Sequence, residues 1–433
     1  MSIMLIPLIL LCFSIITFYR FSWGMFLFFL FLPTYLLRFQ IGFIPTTLLE
    51  GFFFIILLAW MYSQWKDKTY LATLQYLLQT HKSLLIAIGL FLLGATINLF
   101  FSHNILNAAG EWKAFFIEPV ILFFILTDWL RKKDIQYVKN FVYTPLLLIG
   151  FVTAALAIFQ HFTGWMVPWD FWENRNTYRV TGWYGFPNGV GLFLAPLFPL
   201  SLYIVVDTWG KMKKKTRSIQ TTFQFFLALF LIPMTILGVY YAKSTGGLIG
   251  ILGSMGVLLL ICKKTRIPTI ITGILCFVIL FSLPATNPIR KELFFQDRSG
   301  QMRLDMWAEA TELIIEHPIV GAGLSSYQKE IYPYRIDKWI EVFHHPHNIF
   351  LAMWVNIGII GLVGFLWIII WYTRVALMQS KNRHAAFLLA IMAVNVVMGL
   401  VDSPYIKNDL AFFFWIFPAI LVILPYNKIA LKK

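Results

Sequence analysis

The sequence predicts an all-α polytopic membrane protein with about 12–13 transmembrane helices and one large, partly helical extracytoplasmic loop before the last three spans. Apolar residues make up 59% of the 433 residues and charged residues only 13%, whereas soluble domains average about 25% charged residues. This composition excludes an ordinary soluble enzyme. It also excludes intrinsic disorder, which needs low hydrophobicity and high charge. The apolar residues form long continuous runs rather than short alternating segments, which favours helices over a β-barrel.

Thirteen apolar runs approach the length of roughly 20 residues that a transmembrane helix needs. Only Arg20 separates the first two, so residues 1–37 could form one span or two. The clearest runs cover residues 83–110, 140–169, 180–206, 218–242, 244–262, 267–289, 342–373, 385–401 and 410–427. The less clear runs cover residues 3–19, 21–37, 44–64 and 114–130.

Positive charge alternates between successive loops and predicts the orientation. Six segments contain 21 of the 35 Lys and Arg residues but only two of the 20 acidic residues, Asp67 and Asp134. The positive-inside rule places these segments in the cytoplasm. The net charge of +15 is therefore attributed to membrane topology, and no nucleic-acid partner is expected. The six segments are residues 66–82, 131–139, 208–217, 263–266, 374–383 and 428–433.

The same rule places residues 285–346, the one long hydrophilic loop, outside the cytoplasm. Within it, residues 301–316 have apolar side chains at helical spacing and predict a helix that ends at His317-Pro318. The chain is therefore expected to have three parts: a helix bundle at 1–284, the long loop at 285–346, and the last helices at 347–433.

Three histidines lie where the long loop re-enters the membrane, in His344-His345-Pro346-His347. A histidine titrates near neutral pH and can act as a general base. Two other interpretations stay open, namely an interfacial anchor and a zinc ligand. The zinc interpretation lacks a nearby carboxylate or cysteine at ligand spacing.

Cationic residues at the predicted outer rim are candidates for binding an anion. Arg303 lies on the predicted loop helix, and its planar guanidinium suits phosphate. Lys243 ends a span and precedes Ser244-Thr245-Gly246-Gly247, where glycines let a helix N-terminus approach an anion. The alternatives are a solvated helix face for Arg303 and a snorkelling lysine beside tight helix packing for Lys243. For Asp402, near Lys407 and Asp409, a structural ion pair is an equal alternative to a substrate role.

No cofactor or metal is expected from the residues. The three cysteines, Cys12, Cys262 and Cys276, lie in or at the ends of apolar runs. None forms a Cys-x-x-Cys pair, so neither a zinc site nor a disulfide framework is indicated.

Several motifs together resemble the O-antigen ligase/polymerase superfamily. His347-Asn348 is followed by nine residues and then Gly358-Ile-Ile-Gly361, which fits the family pattern at every specified position. Upstream, the segment from Arg303 through Trp307 to Glu316-His-Pro-Ile-Val-Gly-Ala-Gly resembles the family's loop helix and Gly-x-Gly turn. The segment from Arg179 to Pro187-Asn188 resembles the family's segment at which a transmembrane span begins with Pro-Asn. The resemblance covers roughly residues 80–425.

The resemblance implies a transferase of lipid-linked glycans in the cytoplasmic (inner) membrane, with its active site on the extracytoplasmic side. The donor would be a polyprenyl-pyrophosphate-linked glycan and the acceptor a hydroxyl of a glycolipid or another molecule, in an inverting, metal-independent transfer. His347 would be the catalytic base and Arg303 would bind the pyrophosphate. One departure is Thr245, where many members have an arginine, so Lys243 or Arg179 would replace that cation. The expected substrate-binding residues are Arg303, Lys243, Arg179, Asn348, Ser244 and Asp402.

The motifs do not separate a ligase from a polymerase that extends lipid-linked repeat units, and a protein O-glycan transferase also stays open. A transporter is the alternative from another class. Transporters often show inverted repeats and broken helices at the midplane. This sequence shows no such repeat, and its ionisable residues gather at the predicted outer rim.

Overall fold

The computed structural model describes residues 5–42, 44–169, 172, 174, 178–212, 218–337 and 341–424. Helices dominate these residues, which confirms the predicted all-α polytopic membrane class. Lys213, Lys214, Lys215, Arg217 and the basic tail 428–433, all predicted to face the cytoplasm, lie outside the described residues.

The first half of the chain forms α1 to α9 and a short β-ribbon. The elements are α1 (Leu5–Tyr19), α2 (Phe21–Leu30), β1 (Arg38–Ile41), β2 (Ile44–Thr47), α3 (Leu48–Asp67), α4 (Ala72–Thr80), α5 (Lys82–Leu99), α6 (Ile105–Glu111), α7 (Glu118–Leu130), α8 (Ile135–Val138) and α9 (Thr144–Thr163). A 3-10 turn at Leu32–Leu36 follows α2, and π-helical segments at Trp112–Ile117 and Lys139–Tyr143 lead into α7 and α9.

The second half adds helices α10 to α20, and the long loop contains three of them. They are α10 (Pro187–Leu194), α11 (Leu197–Met212), α12 (Ile219–Tyr241), α13 (Thr245–Ile261), α14 (Lys263–Ser282), α15 (Pro288–Leu293), α16 (Arg298–Glu316), α17 (Tyr327–Glu330), α18 (Ile349–Met378), α19 (Arg383–Gly399) and α20 (Asn408–Ile423). The loop helix α16 confirms the helix predicted over residues 301–316.

Each of the thirteen predicted apolar runs contains a helix. By length and composition, seven helices among the described residues could each cross a membrane, and five shorter apolar helices accompany them. The seven are Leu48–Asp67, Lys82–Leu99, Ile135–Thr163, Pro187–Met212, Ile219–Tyr241, Lys263–Ser282 and Ile349–Met378. Residues 5–30 form two helices divided at Arg20, and α2 with its 10 residues is too short to cross a bilayer core alone.

The β-ribbon at Arg38–Thr47 is a feature that the apolar pattern did not predict. Its two strands pair antiparallel, Arg38 opposite Thr47. A capping box ends the ribbon and starts α3, because Thr47 and Glu50 each accept a hydrogen bond from the other's backbone N–H. The same Glu50 carboxylate accepts from Thr46 at 2.8 Å, which fixes the ribbon to the helix.

The helices α5 and α18 form a close central pair that positions the long loop. A side chain at Gly94 would lie 2.3 Å from the backbone nitrogen of Gly361, so these helices touch through bare backbone. Gly358, at φ 65° and ψ −177°, interrupts α18 in a conformation open essentially to glycine alone. The N–H of Ile359 then donates to the carbonyl of Ile319 at 3.0 Å, and Ala322 donates to Val355 at 2.8 Å. Both glycines of the Gly-x-x-Gly motif therefore have structural roles, Gly361 in helix contact and Gly358 in the interruption of α18.

The long loop has its own small apolar core, which rests on α18. Leu313 and Ile314 of α16 pack with Tyr327, Ile331 and Val355 of α18. Burial of one large aliphatic side chain contributes about 1.5–3 kcal/mol, so these contacts hold α16 firmly against the bundle. We call the end of the bundle that carries this loop the loop face.

Helix α14 differs from the other six helices long enough to cross a membrane among the described residues, because none of its residues is buried. Its main neighbour is α13, which precedes it after a single residue. Its apolar side chains are therefore exposed, as expected for a helix that faces lipid.

Candidate functional site

A cavity of about 160 Å³ opens on the loop face between segments from distant parts of the sequence. This volume would hold about five water molecules. Three cations and two carboxylates face it, and we call it the cationic cavity. Its lining consists of Arg179, Asn188, Lys243, Ser244, Thr245, Gly246, Glu292, Ser299, Arg303, Met398, Val401 and Asp402. Five of the seven site residues predicted from the sequence are in this lining, and a sixth, His347, contacts Asp402.

Arg179 is fixed at the edge of the cavity by backbone acceptors. Its Nε donates to the carbonyl of Ala242 at 2.8 Å and one terminal nitrogen to that of Lys243 at 3.0 Å, so the guanidinium caps the C-terminal end of α12. The pKa of Arg179 falls to about 10, first because the group is buried and second because Arg303 lies nearby. It therefore stays charged at neutral pH, and an anion between the two arginines would relieve their repulsion.

Arg303 reaches the cavity from α16 in the long loop. Its Nε donates to the carbonyl of Val401 at 3.1 Å, and NH1 donates to the hydroxyl of Ser299 at 3.0 Å. Ser299 is one helical turn before Arg303, so the helix itself orients the guanidinium. The other terminal nitrogen has no hydrogen-bond partner within the described part of the chain. Arg303 therefore keeps donors available for a ligand.

Lys243 and the N-terminus of α13 complete the positive side of the cavity. Lys243 is exposed, with φ at +48° in the tight turn between α12 and α13. The turn directs the N-terminus of the 17-residue helix α13, with Ser244, Thr245 and Gly246, toward the cavity. The unsatisfied N–H groups of a helix N-terminus favour an anion. Positive charge and backbone donors thus converge on one space.

Glu292 is a cavity residue that sequence reasoning missed. It belongs to the short loop helix α15 and accepts a hydrogen bond from the hydroxyl of Thr245. Thr245 is the position where the resemblance predicts an arginine. No motif marked Glu292, because it lies 47 positions after Thr245 in the sequence and no local pattern connects the two.

His347 and Asp402 form a hydrogen-bonded pair beside the cavity. The Nδ1 of His347 lies 3.2 Å from Oδ1 of Asp402, which also accepts from the N–H of Ser403 at 2.8 Å. Burial opposes ionisation of Asp402, but His347, His345 and the Ser403 N–H together hold its pKa below the usual range. Asp402 is therefore a carboxylate at neutral pH. With Nδ1 facing it, the remaining ring nitrogen of His347 is Nε2.

The backbone at His347 is itself unusual. Its φ is +47°, a left-handed conformation that non-glycine residues rarely adopt. Non-glycine residues in such conformations cluster at functional sites, where surrounding contacts hold them. Here the contacts are the Asp402 pair and the edge-to-face packing of the ring against Phe343 and His345, each with centroids 5.1 Å away.

One hydrogen-bond chain connects the histidine to the cationic cavity. Arg179 donates to Oδ1 of Asn188 at 2.9 Å, and Nδ2 of Asn188 donates to Oδ2 of Asp402 at 2.7 Å. The other oxygen of Asp402 faces His347. Asn188 stood in the Pro-Asn motif of the resemblance, but no role was predicted for it. Because its amide accepts a hydrogen bond on one side and donates one on the other, Asn188 fixes the orientation of Asp402 relative to Arg179.

The remaining predicted residues have different surroundings. The Oδ1 of Asn348 accepts from the N–H groups of Phe350 and Leu351 at 2.9 and 3.2 Å, and its Nδ2 donates to Leu400 at 3.1 Å. Asn348 thus caps α18, and its assignment to substrate binding stays a prediction. His345 contacts Ser403 at 3.2 Å, and burial, followed by the nearby His347, lowers its pKa to about 3. No group of three or more potential metal ligands was found among the described residues.

Comparisons with known proteins relate part of the chain to one family. Residues 226–366 match the family described as O-antigen ligase. This segment contains Lys243, Ser244, Arg303, His347 and Asn348. A provisionally named polysaccharide ligase of Rickettsia conorii is 31% identical over 124 residues, which cover 27% of this chain and 30% of the relative.

Two further relatives carry the same provisional name. The Rickettsia felis protein is 28% identical over 170 residues, 37% of this chain and 41% of the relative. The Rickettsia prowazekii protein is 24% identical over 287 residues, 64% of each chain. This chain thus spans less than two thirds of the length of each of these relatives. The matches confirm the resemblance to the O-antigen ligase superfamily.

Proposed function

We propose that this O-antigen ligase-like membrane protein is a glycosyltransferase that moves a glycan from a polyprenyl-pyrophosphate carrier to an acceptor hydroxyl. The observation that carries the proposal is the position of the His347–Asp402 pair beside the cationic cavity, with Asn188 bridging Asp402 to Arg179. A base that can take a proton and a pocket that can hold a leaving diphosphate are the two parts that this transfer requires.

The chemistry follows from the atoms that face each other. Nε2 of His347 takes the proton of the acceptor hydroxyl while its oxygen attacks the anomeric carbon of the donor sugar. The bond between that carbon and the phosphate oxygen breaks, and the diphosphate leaves with the electron pair. Attack from the face opposite the leaving group inverts the anomeric configuration.

The developing negative charge on the diphosphate is met by fixed positive charge. Arg303 and Arg179 are anchored by backbone carbonyls, and Lys243 and the α13 N-terminus lie on the same cavity. Anchored cations need little rearrangement when the charge develops, which is the condition for effective transition-state stabilisation. Because protein cations fill this role, we expect the transfer to proceed without an added metal ion.

Asp402 acts through His347 and is a positioning residue. As a carboxylate it accepts a hydrogen bond from Nδ1–H, which leaves Nε2 unprotonated and able to act as a base. It also stabilises the imidazolium that forms when His347 takes the proton. Asn188 holds the second carboxylate oxygen at 2.7 Å, so the carboxylate has little freedom to turn away.

The location that we propose is the cytoplasmic membrane, with the loop face extracytoplasmic. The excess of Lys and Arg in the six segments that the sequence predicts to be cytoplasmic supports this orientation. The carrier lipid would lie among the apolar helices while its diphosphate reaches the cavity at the membrane edge. The same geometry serves a ligase with a different acceptor or a polymerase that joins two donor units, and the ligase is the function that we propose.

The test is a transfer assay with purified protein in detergent. It would contain a synthetic polyprenyl-diphosphate disaccharide, a panel of hydroxyl acceptors and a chelator, and mass spectrometry would identify the products. A product that joins the glycan to a different acceptor supports the ligase, whereas donor units joined to each other would identify a polymerase. Absence of any product, together with donor flux across vesicles that contain the protein, would overturn the proposal in favour of a transporter.

The matched control for the base is a neighbouring histidine. We expect His347→Ala to reduce transfer by at least a thousandfold while donor binding persists. His344→Ala removes an exposed ring three residues away and should leave the rate within about twofold. Near-normal turnover of His347→Ala would reject His347 as the base.

A further inference from the structure

An apolar groove lies between α13, α18 and α19 at the end of the bundle opposite the loop face. Both α13 and α18 begin at the loop face, beside the cationic cavity and His347, so their C-terminal parts, which line the groove, lie at the other end. The cavity volume is about 550 Å³, within the range of roughly 300–1,000 Å³ that is usual for ligand pockets. We call it the distal groove. Its apolar walls include Val257, Leu260, Ile261, Leu377, Leu389 and Met392.

The distal groove opens where α13 and α19 separate. A Cβ added at Gly250 would lie 3.1 Å from a side-chain atom of Val394, and one at Gly253 would lie 3.3 Å from Val397, so glycines allow close contact nearer the loop face. A Cβ added at Gly256, the next glycine along α13, would meet no atom of any other described helix within 4 Å. The helices therefore leave a concave apolar surface toward the opposite end.

Arg266, in the first turn of α14, is the one charged residue in the described lining of the distal groove. Its Nε donates to the carbonyl of Leu260 at 2.9 Å, at the C-terminal end of α13, and this contact holds the guanidinium at the groove. Its two terminal nitrogens have no hydrogen-bond or ion-pair partner within the described part of the chain. Thr373 and Ser380 also line the groove, and their hydroxyls have no partner among the same residues. Polar groups that a ligand could use are thus placed beside an apolar wall.

The positive charge around the distal groove has no acidic counterpart on the helices that form it. Residues 244–282 and 349–399 contain six Lys and Arg residues and no Asp or Glu. Three of the six, Lys263, Lys264 and Arg266, lie in the first turn of α14, although a helix N-terminus already carries partial positive charge and favours acidic residues. The positive-inside rule accounts for cations at this end, but not for a guanidinium that lines an apolar groove. An anion bound there would relieve the repulsion among these cations.

A cationic end beside an apolar wall is complementary to an amphiphilic anion. A small soluble anion would use the cations but not the wall, and an uncharged lipid would use the wall but not the cations. Anionic head groups are present in the cytoplasmic leaflet, and basic pockets between transmembrane helices on that side bind such head groups. The polyprenyl-diphosphate carrier fits less well, because we place its diphosphate in the cationic cavity at the loop face.

We propose that the distal groove binds one anionic phospholipid of the leaflet opposite the loop face. The lipid phosphate accepts hydrogen bonds from the terminal nitrogens of Arg266 and from the Ser380 hydroxyl, and an acyl chain lies against Leu260, Leu377 and Leu389. Because α14 has no buried residue and contacts mainly α13, a lipid held by Arg266 against α18 and α19 also fastens α14 to the bundle. The proposal does not depend on the proposed glycosyl transfer.

Binding can be measured by native mass spectrometry of the whole protein released from detergent micelles. The probes are a phosphatidylglycerol and a phosphatidylcholine with identical acyl chains, titrated separately, so that the two differ in head group alone. We expect one phosphatidylglycerol to bind at least about tenfold more tightly than phosphatidylcholine, because several cations surround the groove. Equal affinity of the two lipids would mean that the groove holds ordinary boundary lipid, and it would overturn the proposal.

Two variants separate the head-group contacts from the apolar wall. Arg266→Gln should weaken phosphatidylglycerol binding about fivefold, the effect of one cation near an anionic lipid surface, and leave phosphatidylcholine binding within about twofold. Arg266→Lys keeps the charge and should retain most of the preference for phosphatidylglycerol. Ala393→Phe places a ring in the groove and should weaken the binding of both lipids. Thermal unfolding of each variant confirms that it is folded.

The matched control is Lys211→Gln, which removes an exposed cation of α11 on the same predicted side of the membrane, outside the groove lining. It should bind both lipids as the wild type does. Unchanged lipid binding in both Arg266→Gln and Ala393→Phe, or an equal loss in Lys211→Gln, would refute the assignment.

Competition in the same experiment distinguishes two other occupants. We expect a polyprenyl monophosphate at equal concentration to leave phosphatidylglycerol bound, and its preferential binding would assign the groove to the carrier lipid and contradict the proposal. A dimer in the spectra that Ala393→Phe dissociates would identify the groove as a contact between two copies of the chain, which would also reject the lipid site.

Discussion

Replacement of Asp402 by Asn changes one atom in the proposed catalytic pair and tests how the pair works. Both carboxylate oxygens accept from donors only: Oδ1 from His347 and the Ser403 N–H, Oδ2 from Asn188. An asparagine has one oxygen and one NH₂ group, so one of these contacts must become donor against donor.

Either orientation of the new amide disturbs the site. If the NH₂ group faces His347, the imidazole must take the proton on Nε2, and the base is lost. If it faces Asn188, that amide must turn over, and its carbonyl then leaves the guanidinium of Arg179, which it now contacts at 2.9 Å. The first outcome lowers kcat, whereas the second raises the donor KM.

The first outcome should dominate, because Asn188 is held from both sides. A hydrogen bond to a charged group contributes about 1.5–3 kcal/mol, and loss of the catalytic tautomer adds more. An Asp-to-Asn change in a serine-protease triad, another protein with the same logic, lowers kcat about 10⁴-fold. We therefore expect a fall in kcat of about 10²- to 10⁴-fold, which corresponds to about 3–5 kcal/mol, with the donor KM within about threefold.

The assay measures initial rates with the polyprenyl-diphosphate disaccharide over a range of donor concentrations, and thermal unfolding of each variant confirms that it is folded. Glu312→Gln is the control for removal of an exposed carboxylate. A folded Asp402→Asn variant whose kcat stays within threefold of the wild type would refute the positioning role. A large rise in donor KM at constant kcat would instead assign Asp402 to donor binding.

Two further predictions concern the cations and the pH range. Lys243→Ala should raise the donor KM at least tenfold. Thr245→Arg should leave the donor KM unchanged or lower it, because the new guanidinium can pair with Glu292. An unchanged donor KM in Lys243→Ala would show that this lysine does not belong to the site. The pKa of His345 is about 3 in the folded protein and near 6.5 when exposed. The free energy of unfolding is therefore unaffected by His345 above about pH 6.5 and falls as the pH drops toward 3. The loss at pH 5 should be about 1–2 kcal/mol. Thermal unfolding at pH 7.5 and pH 5 should show this loss, and a His345→Asn variant with an equally steep loss would contradict it.

Much of the fold was predictable because membrane spans need only length and apolar character. All thirteen predicted runs became helices, and α16 formed where its periodic apolar residues indicated. The β-ribbon at Arg38–Thr47 escaped prediction because its strands are four residues each and β2 falls within the start of the apolar run 44–64. The capping box of Thr47 and Glu50 was present in the sequence and could have marked the start of α3.

The candidate site was predictable where a residue carries its own chemistry and not where it depends on a distant partner. His347, Lys243 and Arg179 stood out as ionisable groups near the ends of apolar runs, and Arg303 stood out on the predicted loop helix. The link between Asn188 and Asp402 joins residues 214 positions apart, and no local pattern encodes such a contact. The Asn348 side chain shows the reverse case, because a motif position that suggested chemistry is occupied with capping a helix.

The charge of the cationic cavity bears on how the proposed donor would bind beside His347. Arg179, Lys243 and Arg303 line the cavity and attract a diphosphate, whereas an uncharged acceptor sugar gains nothing from these cations. Raised salt should therefore screen the attraction and raise the donor KM, and it should change the KM of an uncharged acceptor little, since only the donor interaction depends on net charge. Initial rates at several salt concentrations would measure both KM values, and an equal salt dependence of the two would contradict the assignment of the cavity to the diphosphate.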